Sequence, residues 1–191
     1  MAYKKVSVPK NGDGAGCPGA KSTEIIIIDA EDILTEPTRT VGDVVMKGDY
    51  TLKEGAEAVC IYATAPTIEY TEEYSGEPDA RGVKQGCSYE HPGNSVAIKN
   101  HVEAFINKGV VILSKECDGT DGGRVLAFGS KCNPVYMTPE TTNNKESCKR
   151  KFVWKQEQIT KFLPGEYKGK MPTIAADTAE PAEPEQPQEG A

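Results

Sequence analysis

The stretch SVAIKNHVEAFINKGVVIL, residues 95–113, decides the fold class. In its first part, apolar residues occur at positions i, i+4, i+7 and i+8, and this spacing places them on one face of an α-helix. These residues are Ile98, Val102, Phe105 and Ile106. Asn94 or Ser95 can cap the start, and a Lys-Gly pair is typical of the end. The apolar run 110–113 follows at once and predicts a strand. One helix, at about residues 95–107, is therefore expected beside a β-sheet.

Strand-like segments dominate the rest of the chain. The β-branched run at 24–28 predicts a strand buried on both faces. A glycine-rich turn at 118–123, between two apolar runs, predicts a β-hairpin. The last strand, 149–158, alternates with Arg150, Phe152, Trp154 and Gln156 on one face. Other strands are expected at 40–46, 58–63, 66–74, 81–89, 124–128 and 135–137, with a polar loop at 139–147. The fold class is therefore mainly β, an antiparallel β-sandwich or barrel with one flanking α-helix.

The chain divides by composition into an arm, a body and a tail. Its 191 residues suffice for one ordinary domain. Glycine and proline concentrate near the start, so residues 1–23 are predicted to form a flexible N-terminal arm. Residues 24–170 are the predicted β-rich structural domain. Residues 171–191 are predicted to be a disordered acidic, Pro-rich tail, because such a composition buries too little apolar surface to offset the ordering entropy.

The charge distribution disfavours tight nucleic-acid binding. The formal net charge is −7, and residues 177–191 contain five acids and no base, which leaves about −2 for the rest. Such a body has no basic surplus with which to neutralise phosphates. The chain starts without a signal peptide and has no apolar run long enough for a membrane span. Synthesis in the cytoplasm without a membrane anchor is therefore expected.

No arrangement of residues predicts an active site, a metal site or a cofactor. The six cysteines are at least fifteen residues apart, whereas zinc sites need closely paired ligands. His91 and His101 have no evident catalytic partner in the sequence. The glycine-rich segment 12–16 lacks the preceding strand and following helix of a phosphate site. The glycine-rich turn at 118–123 lacks the ligand spacing of an EF-hand calcium site. The chain is therefore expected not to be an enzyme.

The order of elements from the helix onward resembles that of a known family. The turn at 129–134, Gly-Ser-Lys-Cys-Asn-Pro, leads into a Thr/Asn-rich loop and the last alternating strand. Over residues 95–158 this order, with its Gly-Ser-x-x-Asn-Pro turn, resembles the tail-tube-like structural proteins of phages and prophages, especially those of Bacteroidetes hosts. The N-terminal half resembles this family only in having strands and a long hairpin-like excursion. The acidic tail departs from the family pattern.

The resemblance implies a virion structural protein that self-assembles as a tail tube. Six copies would form a hexameric ring, and rings would stack into a homo-oligomeric conduit through which DNA passes without tight binding. Other virion tail proteins would be partners, and the protein would be localised in the virion tail after synthesis in the host cytoplasm. Two other readings stay open. One is a head–tail completion or tail-terminator ring protein, and the other is a monomeric β-domain that binds a protein or ligand partner.

The arm and the excursion at 70–89 are the predicted contacts between subunits. Each would be an entropic liability in a monomer, which favours a role between chains, although both could also be merely mobile loops. Open strand edges would find their partners in neighbouring copies. The candidate inter-subunit residues are Gly12, Gly14, Gly16, Pro18, Tyr70, Tyr74, Glu77, Arg81 and Tyr89.

Overall fold

A computed structural model of the chain describes residues 7–10, 16–17, 19–117, 123–145 and 147–176. Twelve strands and one α-helix lie in these ranges, with short 3-10 turns at Ala30–Asp32 and Ala65–Thr67. The strands are β1 (Lys21–Asp29), β2 (Ile33–Thr35), β3 (Val45–Met46), β4 (Thr51–Leu52), β5 (Val59–Tyr62), β6 (Glu69–Ser75), β7 (Gly82–Pro92), β8 (Val110–Glu116), β9 (Arg124–Phe128), β10 (Val135–Asn143), β11 (Cys148–Gln156) and β12 (Gly165–Tyr167). The helix α1 covers Val96–Phe105. The prediction of a mainly β fold with a flanking helix is confirmed.

Ten of the described strands form one sheet that folds back on itself. Its order is β3-β12-β9-β8-β10-β11-β7-β6, with β1 on the other side of β8 and β5 next to β1. β8 and β10 are joined only by the pair Val110 and Val135, so the sheet bends there. The two halves share one hydrophobic core, which makes the body a β-sandwich. A separate ribbon of β2 and β4 lies outside this sheet.

The sheet is mixed, because it contains one parallel pair of strands beside the antiparallel pairs that the sequence predicts. β12 runs parallel to β3 and antiparallel to β9. Parallel neighbours need a long connection. The chain between β3 and β12 includes most of the fold, so it is long enough for β12 to run either parallel or antiparallel to β3.

Two hydrophobic cores lie on opposite faces of β1 and β8. The larger core fills the sandwich and contains the fully buried Phe128, Phe152 and Trp154. The smaller core contains Ile26 and Ile28 of β1 and is covered by the segment that includes β2 and β4. The prediction that the β-branched run is buried on both faces is confirmed.

The helix and the last predicted strand agree with their sequence patterns. Ser95 caps α1, because its hydroxyl accepts the backbone N–H of Ile98 at 3.4 Å. In β11 the buried face consists of Arg150, Phe152, Trp154 and Gln156, as expected. Within the described ranges no helix has the length and apolarity of a membrane span.

Two predictions of local structure, one of a loop and one of a strand, are wrong. The expected polar loop at 139–147 continues β10 as far as Asn143, because β11 pairs with it along its whole length. A polar sequence can form a strand when a partner satisfies its backbone groups. The expected strand at 40–46 is reduced to the two residues of β3, whose neighbour β12 is itself only three residues long.

The boundaries of the body lie further out than composition indicates. Cys117 donates its backbone N–H to the carbonyl of Ala20 at 2.7 Å, and β1 already begins at Lys21. At the other end, Ala58 pairs with Thr173 and Ala175. These contacts assign residues 20–23 of the expected arm and 173–175 of the expected tail to the body. Most of the arm, and the tail from residue 177, lie outside the described residues.

Candidate assembly surface

The excursion predicted near residues 70–89 is a β-hairpin that projects from the body. β6 and β7 pair antiparallel from Glu69 opposite Ser88 to Ser75 opposite Gly82. Every residue at 71–81 is exposed, whereas the continuation of β7 beside β11 is largely buried. The hairpin is therefore anchored at its base and solvated at its tip.

β6 offers a free backbone edge. It is the last strand of the sheet order, and no strand or isolated bridge occupies its outer side in the part of the chain that the structure describes. The other sheet edges are partly covered. Thr38 bridges Lys47 beside β3, and Ile174 bridges Ala58 beside β5. An edge without a neighbour is a template for pairing with another chain.

The three candidate tyrosines differ in where they lie. Tyr70 stacks on Phe128 with ring centroids 5.1 Å apart, and its hydroxyl lies 2.8 Å from the Ser114 hydroxyl. Burial raises the pKa of Tyr70 to about 12. Tyr70 therefore anchors the hairpin to its own body. Tyr74 is 67% exposed near the tip, and Tyr89 is fully buried in the core, where it presents no surface to a neighbour.

The remaining candidate residues lie at the surface or outside the described residues. Glu77 and Arg81 are exposed in the loop that joins β6 to β7. Gly16 is exposed, with no atom close to the position of an added Cβ. Gly12, Gly14 and Pro18 lie outside the described residues. The structure therefore brings Tyr74, Glu77 and Arg81 together on one hairpin.

A cavity of about 300 Å³ lies between the two halves of the sheet and is lined in part by Gln85 and Gln156. Both side chains are already bonded within the protein. The Gln85 amide oxygen accepts the N–H of Gly129 at 2.8 Å, and its NH₂ group donates to the Phe162 carbonyl at 2.8 Å. The Gln156 oxygen accepts the Gln85 N–H at 3.0 Å, and its NH₂ group donates to the Asn133 carbonyl at 2.8 Å.

This network fastens β7 and β11 to the neighbouring connections and leaves both amides satisfied. Sequence reasoning missed it. The signal that could have revealed it is the position of Gln85 between Val83 and Cys87 on the buried face of a strand. A polar residue in such a row is costly to bury unless it is bonded.

The two histidines take part in packing and in backbone contacts. His101 lies with its ring centroid 4.8 Å from that of Phe105 and 5.9 Å from that of Phe152. Desolvation lowers the pKa of His101 to about 4, so the ring is neutral near pH 7. The Nδ1 atom of His91 is 2.9 Å from the Tyr62 carbonyl oxygen. Both rings line a groove between β5 and α1.

The β6 hairpin thus combines a free strand edge with an exposed tip. Among the described residues, no group of three or more His, Cys, Asp or Glu side chains is arranged to hold a metal ion. The hairpin carries the exposed side chains of Tyr74, Glu77 and Arg81, and its base is held by Tyr70. The chain matches no protein-family model, no curated protein and no solved structure.

Proposed function

We propose that this protein is a virion structural protein, a self-assembling tail-tube subunit whose hexameric rings stack into a conduit for DNA. The observation that carries the proposal is the free edge of β6 on a projecting hairpin. In a monomer this edge exposes backbone donors and acceptors that could pair with another chain. Assembly with further copies gives the edge a partner.

The charges of β6 favour contact with an unlike surface. Glu69, Glu72 and Glu73 are all exposed on this strand. Antiparallel pairing of two β6 strands about a twofold axis would place these acids close to one another, and like charges in such positions are destabilising. A contact between two different surfaces avoids this repulsion. Such heterologous contacts close into rings when the rotation between neighbours permits.

A basic surface suited to this contact lies near the other end of the sheet. β12 and the residues after it, 165–170, carry the exposed Lys168 and Lys170 and one acid, Glu166, whose carboxylate lies 2.9 Å from the Lys168 ammonium group. Opposite charges steer two surfaces together and fix their register. We infer a head-to-tail ring in which the β6 hairpin of one subunit meets the basic surface of the next.

The overall charge suits a passage for DNA. The chain without its acidic last segment has a net charge of about −2. A surface with no excess of basic residues has no strong attraction for the phosphates of DNA. DNA can therefore pass along it without being bound tightly. Other virion tail proteins would meet the rings at the ends of the tube.

Negative-stain electron microscopy of the purified chain, with light scattering after size exclusion, tests the proposal. Rings or tubes are expected for the wild type. Glu72→Lys on β6 should reduce assembly, whereas Glu103→Lys, an equal charge change at an exposed position of α1, should not. Single rings that never stack would instead identify a head–tail completion or tail-terminator protein. Monomers that persist at high protein concentration would refute assembly.

A further inference from the structure

The cavity beside Gln85 is lined by two opposite charges, Glu36 and Arg39. Both side chains are partly buried. Among the described residues, no salt bridge joins either of them to the other or to another charge. Asp43, whose charge also acts on Arg39, pairs with Lys47 at 3.8 Å. A charged group that is partly removed from water gains from an opposite charge, so this cavity is suited to a ligand that supplies one.

The Arg39 guanidinium is held against one wall of the cavity. One of its amino groups donates to the Leu163 carbonyl. Its central carbon lies 4.7 Å from the centroid of the Phe162 ring, and its Nη1 atom lies 3.3 Å from the position of an added Cβ on Gly165. Phe162 and Gly165 both line the cavity. A guanidinium has several N–H donors, so those that remain can bind a carboxylate.

The Glu36 carboxylate is held at a different wall, beside the turn that contains Ser130. Its Oε2 atom accepts the backbone N–H of Lys131 at 2.8 Å. The Lys131 ammonium group donates to the Ile33 carbonyl instead. A carboxylate accepts several hydrogen bonds, so Glu36 can also accept from an ammonium group. The Ser130 hydroxyl, which lines the cavity, accepts the N–H of Asn133 at 3.1 Å and has a proton of its own to donate.

The side chain of Gln85 spans the gap between these two walls. Its amide oxygen accepts the N–H of Gly129 at 2.8 Å, and its NH₂ group donates to the Phe162 carbonyl at 2.8 Å. One amide group with a hydrogen bond at each end therefore reaches from the turn beside Glu36 to the segment beside Arg39. The head group of an α-amino acid has a similar length, because its ammonium and carboxylate groups are attached to the same carbon.

We propose that this cavity binds a small zwitterion, an α-amino acid with a short apolar side chain. Its carboxylate binds Arg39, and its ammonium group binds Glu36. Its side chain contacts Met46 and Phe162, which line the same cavity. A volume of about 300 Å³ is at the lower end of the range for ligand sites, which restricts the ligand to this size. Thr38, another lining residue, is exposed, so the cavity is accessible from solvent.

The inference does not rest on the proposed assembly. The cavity lies between the two halves of the sheet, whereas the assembly contact uses the outer edge of β6. Ligand binding and assembly can therefore be measured separately, and failure of one leaves the other intact.

Isothermal titration calorimetry of the full wild-type chain with three matched probes tests the proposal. L-leucine carries both charges, isocaproate is the same molecule without the amine, and isoamylamine is the same molecule without the carboxylate. L-leucine should bind, and each single-charge probe should bind at least about tenfold more weakly, because each loses one charge-assisted contact. Equal binding of L-leucine and either single-charge probe would overturn the proposal. So would the absence of binding by L-leucine, L-valine and L-alanine alike at millimolar concentration.

Two substitutions locate the binding site. Arg39→Gln and Glu36→Gln should each weaken L-leucine binding at least about tenfold. Glu36→Gln should not weaken isocaproate, which has no ammonium group. The matched control is Arg124→Gln, because Arg124 is exposed on β9 and bonds to Glu116 away from the cavity, and it should leave binding unchanged.

Circular dichroism shows whether each variant is folded. The comparison of probes on the wild type stands even where a variant fails to fold. Wild-type affinity for L-leucine in folded Arg39→Gln or folded Glu36→Gln would overturn the proposal.

Discussion

Replacement of Tyr70 by Phe tests whether this residue anchors the hairpin. The Tyr70 hydroxyl is 2.8 Å from the Ser114 hydroxyl, and Ser114 is fully buried. Loss of the phenolic oxygen leaves the serine hydroxyl without its described partner, at a cost of about 1–3 kcal/mol. The matched control is Tyr74→Phe. Tyr74 is exposed, and its hydroxyl donates to Glu72 at 2.6 Å in contact with solvent, so its loss should leave the urea midpoint nearly unchanged.

Urea unfolding followed by circular dichroism measures both variants. For a chain of this size each kcal/mol lowers Tm by about 2–4 °C. The double variant Tyr70→Phe with Ser114→Ala should recover much of the loss, because removing both polar partners leaves no unsatisfied group. Equal losses for Tyr70→Phe and Tyr74→Phe would refute the anchoring role. So would a double variant whose loss equals the sum of the two single losses.

Three further predictions concern the body. Gly86→Ala would place a Cβ against the Thr71 hydroxyl and 3.0 Å from the Trp154 backbone carbonyl oxygen, so the urea midpoint should fall by the equivalent of about 1–3 kcal/mol, and an unchanged midpoint would contradict the packing. Burial lowers the pKa of His101 to about 4, so the folded state binds fewer protons than the unfolded state between about pH 6.5 and 4, and stability falls as the pH drops through that window. His101→Leu should flatten Tm against pH there, and an identical slope in both proteins would exclude this linkage. The ion pair between Lys155 and Glu73 has both side chains about half exposed, so solvent screens it and Lys155→Ala should leave the urea midpoint nearly unchanged; a clear fall would point to a further role for Lys155.

The elements that could be predicted are those with strong local patterns. Ile98, Val102 and Phe105 are spaced so that they share one face of an α-helix, and α1 forms there. The alternation in β11 identified its buried face because successive side chains of a strand point to opposite sides. Patterns of this kind act over a few residues, so they need no knowledge of the rest of the fold.

The candidate site was only partly predictable. The excursion was placed correctly, but sequence could not distinguish Tyr70 and Tyr89, which pack inside, from Tyr74, which lies at the surface. Tyrosine suits either environment, because it has an apolar ring and a polar hydroxyl. The choice depends on where each residue lies along the hairpin relative to the body.

By itself the sequence determined the mainly β class, the position of the helix and the strand that is buried on both faces. These follow from short-range periodicity and from the burial of apolar side chains. Only the tertiary structure decided that β6 has a free edge, that Gln85 and Gln156 bond to each other, and that Ala58 pairs with residues near the end of the chain. Backbone hydrogen bonds between strands carry no residue code, so distant segments become neighbours only when the whole chain packs.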